Sequence, residues 1–374
     1  LNIGITCYPT YGGSGVVATE LGIALAERGH EVHFVSYASP FRLQHYVSNV
    51  FFHEVEQSTY PLFDFNLYSL ALASKLVEVA QYQKLDILHM HYAIPHAVSG
   101  FLAREMVGRD AVKLVTTLHG TDSTLVGLEP SFLPLMRFSI RESDAVTAVS
   151  RFLAEKTRAS YNIDKEIEII PNFVNTSVYK PVDSSRFRSR IAPDGGKILA
   201  HVSNFRPVKR VTDVIRIFHL VNKQIPSHLL LVGDGPDRTE CEALVRELDL
   251  CGVVRFLGKQ DALVEILSSS DLFLLPSQSE SFGLSALEAM SCGVPVISSS
   301  SGGIPEVNIH ARTGYIAEMG DVERMAKYAV ELLGNTKKYA AFSAAARSVA
   351  AEQFEAELIV PRYERLYERV LDGR

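Results

Sequence analysis

Two rounds of one alternation dominate the chain: a short, continuous apolar run, then a segment with helical spacing. Residues 3–7, 31–36, 86–91, 113–118, 145–149 and 168–170 read as strands, with helices over 15–28, 67–81, 93–107 and 133–143. The pattern restarts with strands over 197–202, 228–232, 254–257, 272–276 and 295–298. Its helices span 211–224, 238–248, 262–269, 283–291 and 322–333. Strands that are apolar throughout need cover on both faces, which points to parallel sheets flanked by helices. Between the two rounds lies a stretch with Pro171, Pro181, Pro193, Gly195 and Gly196, the best boundary by composition. The expected fold class is α/β: two Rossmann-like, doubly wound domains, 1–170 and 171–354, facing a cleft. Ligands are expected outside the carboxyl ends of the strands. Residues 355–374 break the two-block order. Ile359, Tyr363, Leu366, Tyr367 and Val370 fall at helical spacing, with Pro361 as an expected kink. That apolar face packs either on its own domain or back on the first.

Composition narrows the function. The 374 residues carry 37 Lys and Arg against 43 Asp and Glu, a net charge of −6, which argues against a general nucleic-acid binder. The four cysteines, Cys7, Cys241, Cys251 and Cys292, lack the CxxC spacing of a zinc site and form no disulfide framework. They fit a reducing compartment, so the expected location is cytoplasmic. No apolar run approaches the roughly 20 residues of a membrane span. The sequence opens directly on a strand, with no pattern of a signal peptide. Nothing in it specifies an oligomer, and a homo-oligomer stays among the expectations.

The residues with chemistry cluster after strands. The first strand runs into Gly12, Gly13, Ser14 and Gly15 and then a helix, where backbone N–H groups can approach a phosphate. Residues 13–18 satisfy GxGxxA, but the second strand ends in Ser36, Tyr37, Ala38 and Ser39. The acidic ribose ligand of a nicotinamide-dependent oxidoreductase is therefore missing. A plain strand-to-helix turn explains the glycines equally well. In the second half Glu280, Ser281, Phe282, Gly283 and Leu284 precede Glu288. The helix start at Phe282, Gly283 and Leu284 offers N–H groups and positive potential to a diphosphate. Glu288, inside that helix, suits the two hydroxyls of a ribose, and Glu280, on the loop before it, suits a sugar hydroxyl. Ser285 and Glu288 also fit a capping box.

Arg206 and Lys209 follow the strand over 197–202, and Gly233 opens the turn after the strand over 228–232. A guanidinium and an ammonium there would neutralise a leaving diphosphate; an exposed basic turn is the plainer reading. His89, His91 and His96 are spaced like metal ligands, but no acidic partners accompany them and no Asp-x-Asp occurs. No metal and no cofactor is therefore expected. His89 reads as strand packing, and His91 and Tyr92 as cleft lining. His119 ends another strand and suits a sugar hydroxyl, or a cap.

The Glu280 to Glu288 string, the Arg206 and Lys209 pair, the turn at Gly233 and the glycine loop together resemble the retaining GT-B glycosyltransferases that use nucleotide sugars. The likeness runs over nearly the whole chain. It sharpens at 86–96, 116–122 and 203–210 toward bacillithiol-pathway members of that family. The resemblance implies transfer of N-acetylglucosamine from UDP-GlcNAc to the hydroxyl of L-malate, with retention. It also implies a last helix that returns to the first domain. Where the broad family commonly has an arginine five residues before the lysine, this chain has Asn204, and Arg206 lies three before Lys209. Catalysis is expected from His119, Arg206, Lys209 and Glu280. The donor falls to Gly13, Ser14, Gly15, Asn204, Gly233, Phe282, Gly283, Leu284 and Glu288. A dianionic acceptor would need Arg137, with Ser14, Tyr92 and Thr121 as hydroxyl partners. The rival readings are a UDP-sugar 2-epimerase, a GT-B transferase with another small acceptor, and a sugar-nucleotide sensor without turnover.

Overall fold

Each apolar run is separated from the next by a helix long enough to cross over the sheet, so the strands pair side by side in one direction. The computed structural model describes residues 1–9, 12–43, 46–56, 67–120 and 129–373. It divides into two compact units: Leu1–Asn172 with Glu357–Arg374, and Phe173–Ala356. Among the described residues no helix is long and apolar enough to cross a membrane.

The first unit runs β1 (Asn2–Thr6), α1 (Gly13–Glu27), β2 (Glu31–Ser36), β3 (Val50–Glu54), α2 (Tyr68–Tyr82), β4 (Ile87–His91), α3 (Val98–Val107), β5 (Lys113–Leu118), α4 (Leu133–Glu142), β6 (Ala145–Ala148), α5 (Arg151–Tyr161) and β7 (Glu168–Ile169). The sheet order is β3-β2-β1-β4-β5-β6-β7, with parallel pairs throughout. Strand alternation splits β4 between two environments. Leu88 and Met90 join Leu72, Leu76 and Val79 of α2 and Leu114 of β5 in an apolar cluster. His89 and His91 lie on the opposite face and are also fully buried.

That second face is covered by α13 (Ala356–Leu371), the last helix of the chain and part of the first unit from Glu357 onward. Its Ile359, Val360, Tyr363, Leu366 and Tyr367 are buried. Each aliphatic side chain so covered contributes about 1.5–3 kcal/mol. The polar atoms beneath are matched as well. The Tyr367 hydroxyl lies 2.7 Å from His89 Nδ1, and His89 Nε2 lies 2.7 Å from Thr117 Oγ1, which in turn meets Thr147 Oγ1 at 2.7 Å. At the rim Arg28 reaches Glu357 and Glu364, and Arg362 donates to the Ile169 carbonyl.

The second unit runs α6 (Ser185–Ile191), β8 (Lys197–Val202), α7 (Val211–Asn222), β9 (Ser227–Val232), α8 (Arg238–Glu247), β10 (Val254–Gly258), α9 (Leu263–Ser268), β11 (Leu272–Leu275), α10 (Leu284–Ser291), β12 (Val296–Ser299), β13 (Gly314–Ala317), α11 (Val322–Leu333) and α12 (Thr336–Gln353). Its order is β10-β9-β8-β11-β12-β13, again parallel. The core joins Leu199, Leu229, Leu231, Leu272 and Leu274 to Val214, Ile217 and Phe218 of α7. Where the chain passes between units, Val174 pairs with Glu355: Val174 N donates to Phe354 O and Ala356 N to Val174 O.

One expected element is corrected. Residues 93–107 are not one helix, because Ile94 is extended (φ −127°, ψ 129°) and the regular helix begins only at Val98. The cause is Pro95, which pushes the residue before it out of the helical region. Pro361, by contrast, sits within a helix that continues past it.

Replacing Tyr367 with Phe leaves His89 Nδ1 buried without its partner. Urea unfolding should show a loss of about 1–3 kcal/mol. Tyr82, which is 78% exposed, serves as the control, since Tyr82→Phe should leave the midpoint where it is. A wild-type midpoint for Tyr367→Phe would contradict this account.

Candidate active site

In the second unit three loops meet after β8, β9 and β11, and glycines permit the approach. Gly233 has φ +116°, and a Cβ there would stand 1.7 Å from the Ser203 carbonyl oxygen. A Cβ on Gly235 would stand 2.0 Å from the Asn204 carbonyl oxygen. Beneath them His201 Nδ1 donates to the Leu274 carbonyl at 2.8 Å, so its Nε2 is an acceptor for the Ser203 hydroxyl at 2.8 Å. Ser203 Oγ then accepts from Phe205 N–H. This relay pins the loop that carries Asn204, Arg206 and Lys209. Sequence reading passed over His201; the only signal was a polar residue inside an apolar strand.

Lys209 ends a short 3₁₀ turn, Pro207–Lys209, and its Nζ donates to Glu280 Oε2 at 2.6 Å. Both side chains are partly buried, at 20% and 16% exposure, so each fixes the other. Glu280 is also held by its backbone: its carbonyl accepts from Gly303 N–H at 2.9 Å. Arg206 is exposed and makes no ion pair among the described residues.

Helix α10 begins after Gly283, a left-handed cap (φ 101°) whose position carries no side-chain hydrogen bond. Its first N–H groups are therefore available to an anion. Ser285 lies inside the helix rather than at its cap, so the capping box does not form. Phe282 is buried edge-to-face on Phe354, centroids 5.6 Å apart, so a ligand at this position meets its backbone. Leu284 opens the helix, and Glu288, one turn in, is buried.

In the first unit the positions gather after β1, β4 and β5. Gly12 is an extended cap without a side-chain bond, Gly13 is exposed with open space beyond its Cα, and Gly15 is buried in α1. Ser14 Oγ lies 2.6 Å from the Tyr92 hydroxyl. Tyr92 has φ 107°, a strained backbone for a residue with a side chain, and its N–H donates to the Thr117 carbonyl. His119 is half-buried, with Nε2 at 2.8 Å from His91 Nδ1. Arg137 is exposed, and its Nε donates to the Tyr161 carbonyl at 2.9 Å. Thr121 lies outside the described residues.

The three metal-spaced histidines have other occupations. His89 bonds Tyr367 and Thr117, His91 bonds His119, and His96 Nδ1 donates to the His91 carbonyl at 2.6 Å. Among the described residues no three His, Cys, Asp or Glu side chains are grouped to hold a metal ion.

The chain belongs to the glycosyl transferases of group 1, whose family pattern matches residues 183–349, while the pattern of glycosyltransferase family 4 matches residues 11–178. It is 49% identical over 372 residues to the N-acetyl-alpha-D-glucosaminyl L-malate synthase of Bacillus anthracis, covering 99% of this chain and 97% of that one. It is 30% identical over 290 residues to the D-inositol 3-phosphate glycosyltransferase of Mycolicibacterium smegmatis, covering 71% of this chain and 63% of that one. Among solved structures, Anabaena HepE in complex with UDP and glucose matches with TM-score 0.84 at 20% identity, covering 98% of this chain and 99% of that one. The sucrose-phosphate synthase of Thermosynechococcus elongatus matches with TM-score 0.82 at 21% identity, covering 100% of both chains. These structures establish the fold as GT-B.

Burial pushes the imidazoles down from their ordinary 6.5: His89 and His119 to about 3, His96 and His201 to about 4. The unfolded chain therefore binds more protons across the window from about 6.5 down to about 4, and stability rises with pH through it. Urea midpoints at about pH 7 and about pH 5 should differ, with the lower one at the acidic pH. Equal midpoints would contradict neutral, buried imidazoles.

Proposed function

We propose that this chain transfers N-acetylglucosamine from UDP-GlcNAc to the hydroxyl of L-malate, with retention and without a metal, as the first step of bacillithiol biosynthesis. The observation that carries the reading is likeness over almost the entire length to a protein named for that product. The geometry supports it. Uncapped N–H groups at the start of α10, with Lys209 and Arg206, suit a diphosphate. Gly233 and Asn204 belong to the turns beside it, and Glu288 suits the ribose. Glu280, fixed by Lys209, suits a sugar hydroxyl, as does His119. The glycine loop at Gly13, Ser14 and Gly15 offers N–H groups to the donor phosphates. Ser14, Tyr92, Thr121 and Arg137 are assigned to malate.

The reaction needs no protein nucleophile. The bond from the anomeric carbon to the diphosphate oxygen breaks as the malate oxygen bonds that carbon on the same face. The malate hydroxyl proton passes to the departing diphosphate oxygen. Lys209 is held by Glu280 at 2.6 Å, so its ammonium is positioned before the diphosphate oxygen departs.

UDP release from UDP-GlcNAc should require L-malate, survive excess EDTA, and yield an α-linked product by NMR of the anomeric proton. UDP release at full rate without malate would favour an epimerase instead, and loss on chelation restored by magnesium would overturn metal independence.

The two carboxylates should separate by calorimetry. Glu288→Ala should weaken UDP binding by roughly 1.5–3 kcal/mol, the range for hydrogen bonds to charged groups. Glu280→Gln should lower turnover more than UDP affinity. Equal losses of UDP affinity would contradict the division between ribose and sugar.

A further inference from the structure

His91 is a fully buried imidazole that the reaction above does not use. It is the last residue of β4, paired in register with Thr117 of β5. His119 lies just beyond the end of β5, so two adjacent strands deliver two rings to one place. Their centroids are 5.1 Å apart and nearly parallel at 21°, with His91 Nδ1 at 2.8 Å from His119 Nε2. The His91 ring is held from other sides as well: the His89 ring stands 4.4 Å away, and the His91 carbonyl accepts from His96.

A bond between two neutral imidazoles needs one proton, and the donor follows from what lies at the far ends of the rings. His91 Nε2 is buried and has no hydrogen-bond partner. Were the His91 proton there, a buried N–H would be left without an acceptor. With the proton on Nδ1, His91 donates to His119 and only a lone pair is left bare. Orphaned buried N–H groups are the rarer and costlier of the two. A neutral imidazole carries one proton, so His119, accepting at Nε2, must carry its own at Nδ1. No described residue bonds that nitrogen. Burial and the neighbouring His96 hold His119 neutral, so a second proton is not available.

We infer that His91 is a positioning residue that fixes the His119 tautomer, so that His119 meets the transferred sugar as an Nδ1–H donor to an oxygen and not as an acceptor. The inference rests on the reading of His119 as a sugar contact, and it adds both the direction of that hydrogen bond and the residue that sets it. A ligand group that can only donate, such as an ammonium or an amide N–H, would be refused at this point.

Ring-15N NMR of the intact protein tests the tautomer directly, with the His119 signals identified by their loss in His119→Gln. The expected spectrum shows His119 protonated at Nδ1 at neutral pH; protonation at Nε2 would overturn the inference without any variant of His91. His91→Leu should release His119 into a mixture of tautomers and lower turnover roughly tenfold or more, with UDP affinity unchanged. His91→Asn, whose amide can donate from near the Nδ1 position, should recover most of the turnover and the single tautomer. A His91→Leu protein with an unaltered His119 tautomer and normal turnover would refute the role. If the tautomer follows the assignment but His119→Gln turns over normally, the sugar-contact reading of His119 falls instead.

Discussion

Every described strand pair in both sheets is parallel, and that one constraint organises the rest. A parallel strand ends at the same edge as its neighbours, so residues far apart in sequence are delivered side by side. The backbone then needs no special loops to build a site, only side chains at strand ends and glycines where loops press together. His91 and His119 meet because β4 and β5 are neighbours, and Lys209 and Glu280 meet because the loops after β8 and β11 are.

The two units solve the same problem with different chemistry. The second packs backbone against backbone. Gly302 (φ +68°) has no room for a Cβ, which would stand 2.0 Å from the Glu280 carbonyl oxygen. The first packs polar rings and hydroxyls, with His89, Thr117, Thr147 and Tyr367 joined below the strand ends. Such a network is stable only when nearly every member has a partner. The bare Nε2 atoms of His91 and His96 are therefore informative exceptions.

Much of this was legible in the sequence. The strands over 31–36, 113–118 and 197–202 match the observed bounds, because continuous apolar runs leave little choice. The edge strand β3 went unread because its residues are only partly buried and carry a weaker pattern. The Ala-rich α12 lacks the wide apolar stripe that marks a surface helix, and it too was passed over. In the site, glycine turns and carboxylates announced themselves by residue type. The Lys209–Glu280 pair and the histidine pair did not, since separations of 71 and 28 residues say nothing about contact until the strand order is known.

The last helix covers a sheet whose strands are all built from the first 172 residues. On the ribosome, the second unit emerges whole while the first still lacks the tyrosines that cover His89 and Thr117. The half synthesised first is thus the half finished last. A circularly permuted gene, with residues 357–373 placed ahead of residue 1, would make that half contiguous and reverse the order in which the two mature.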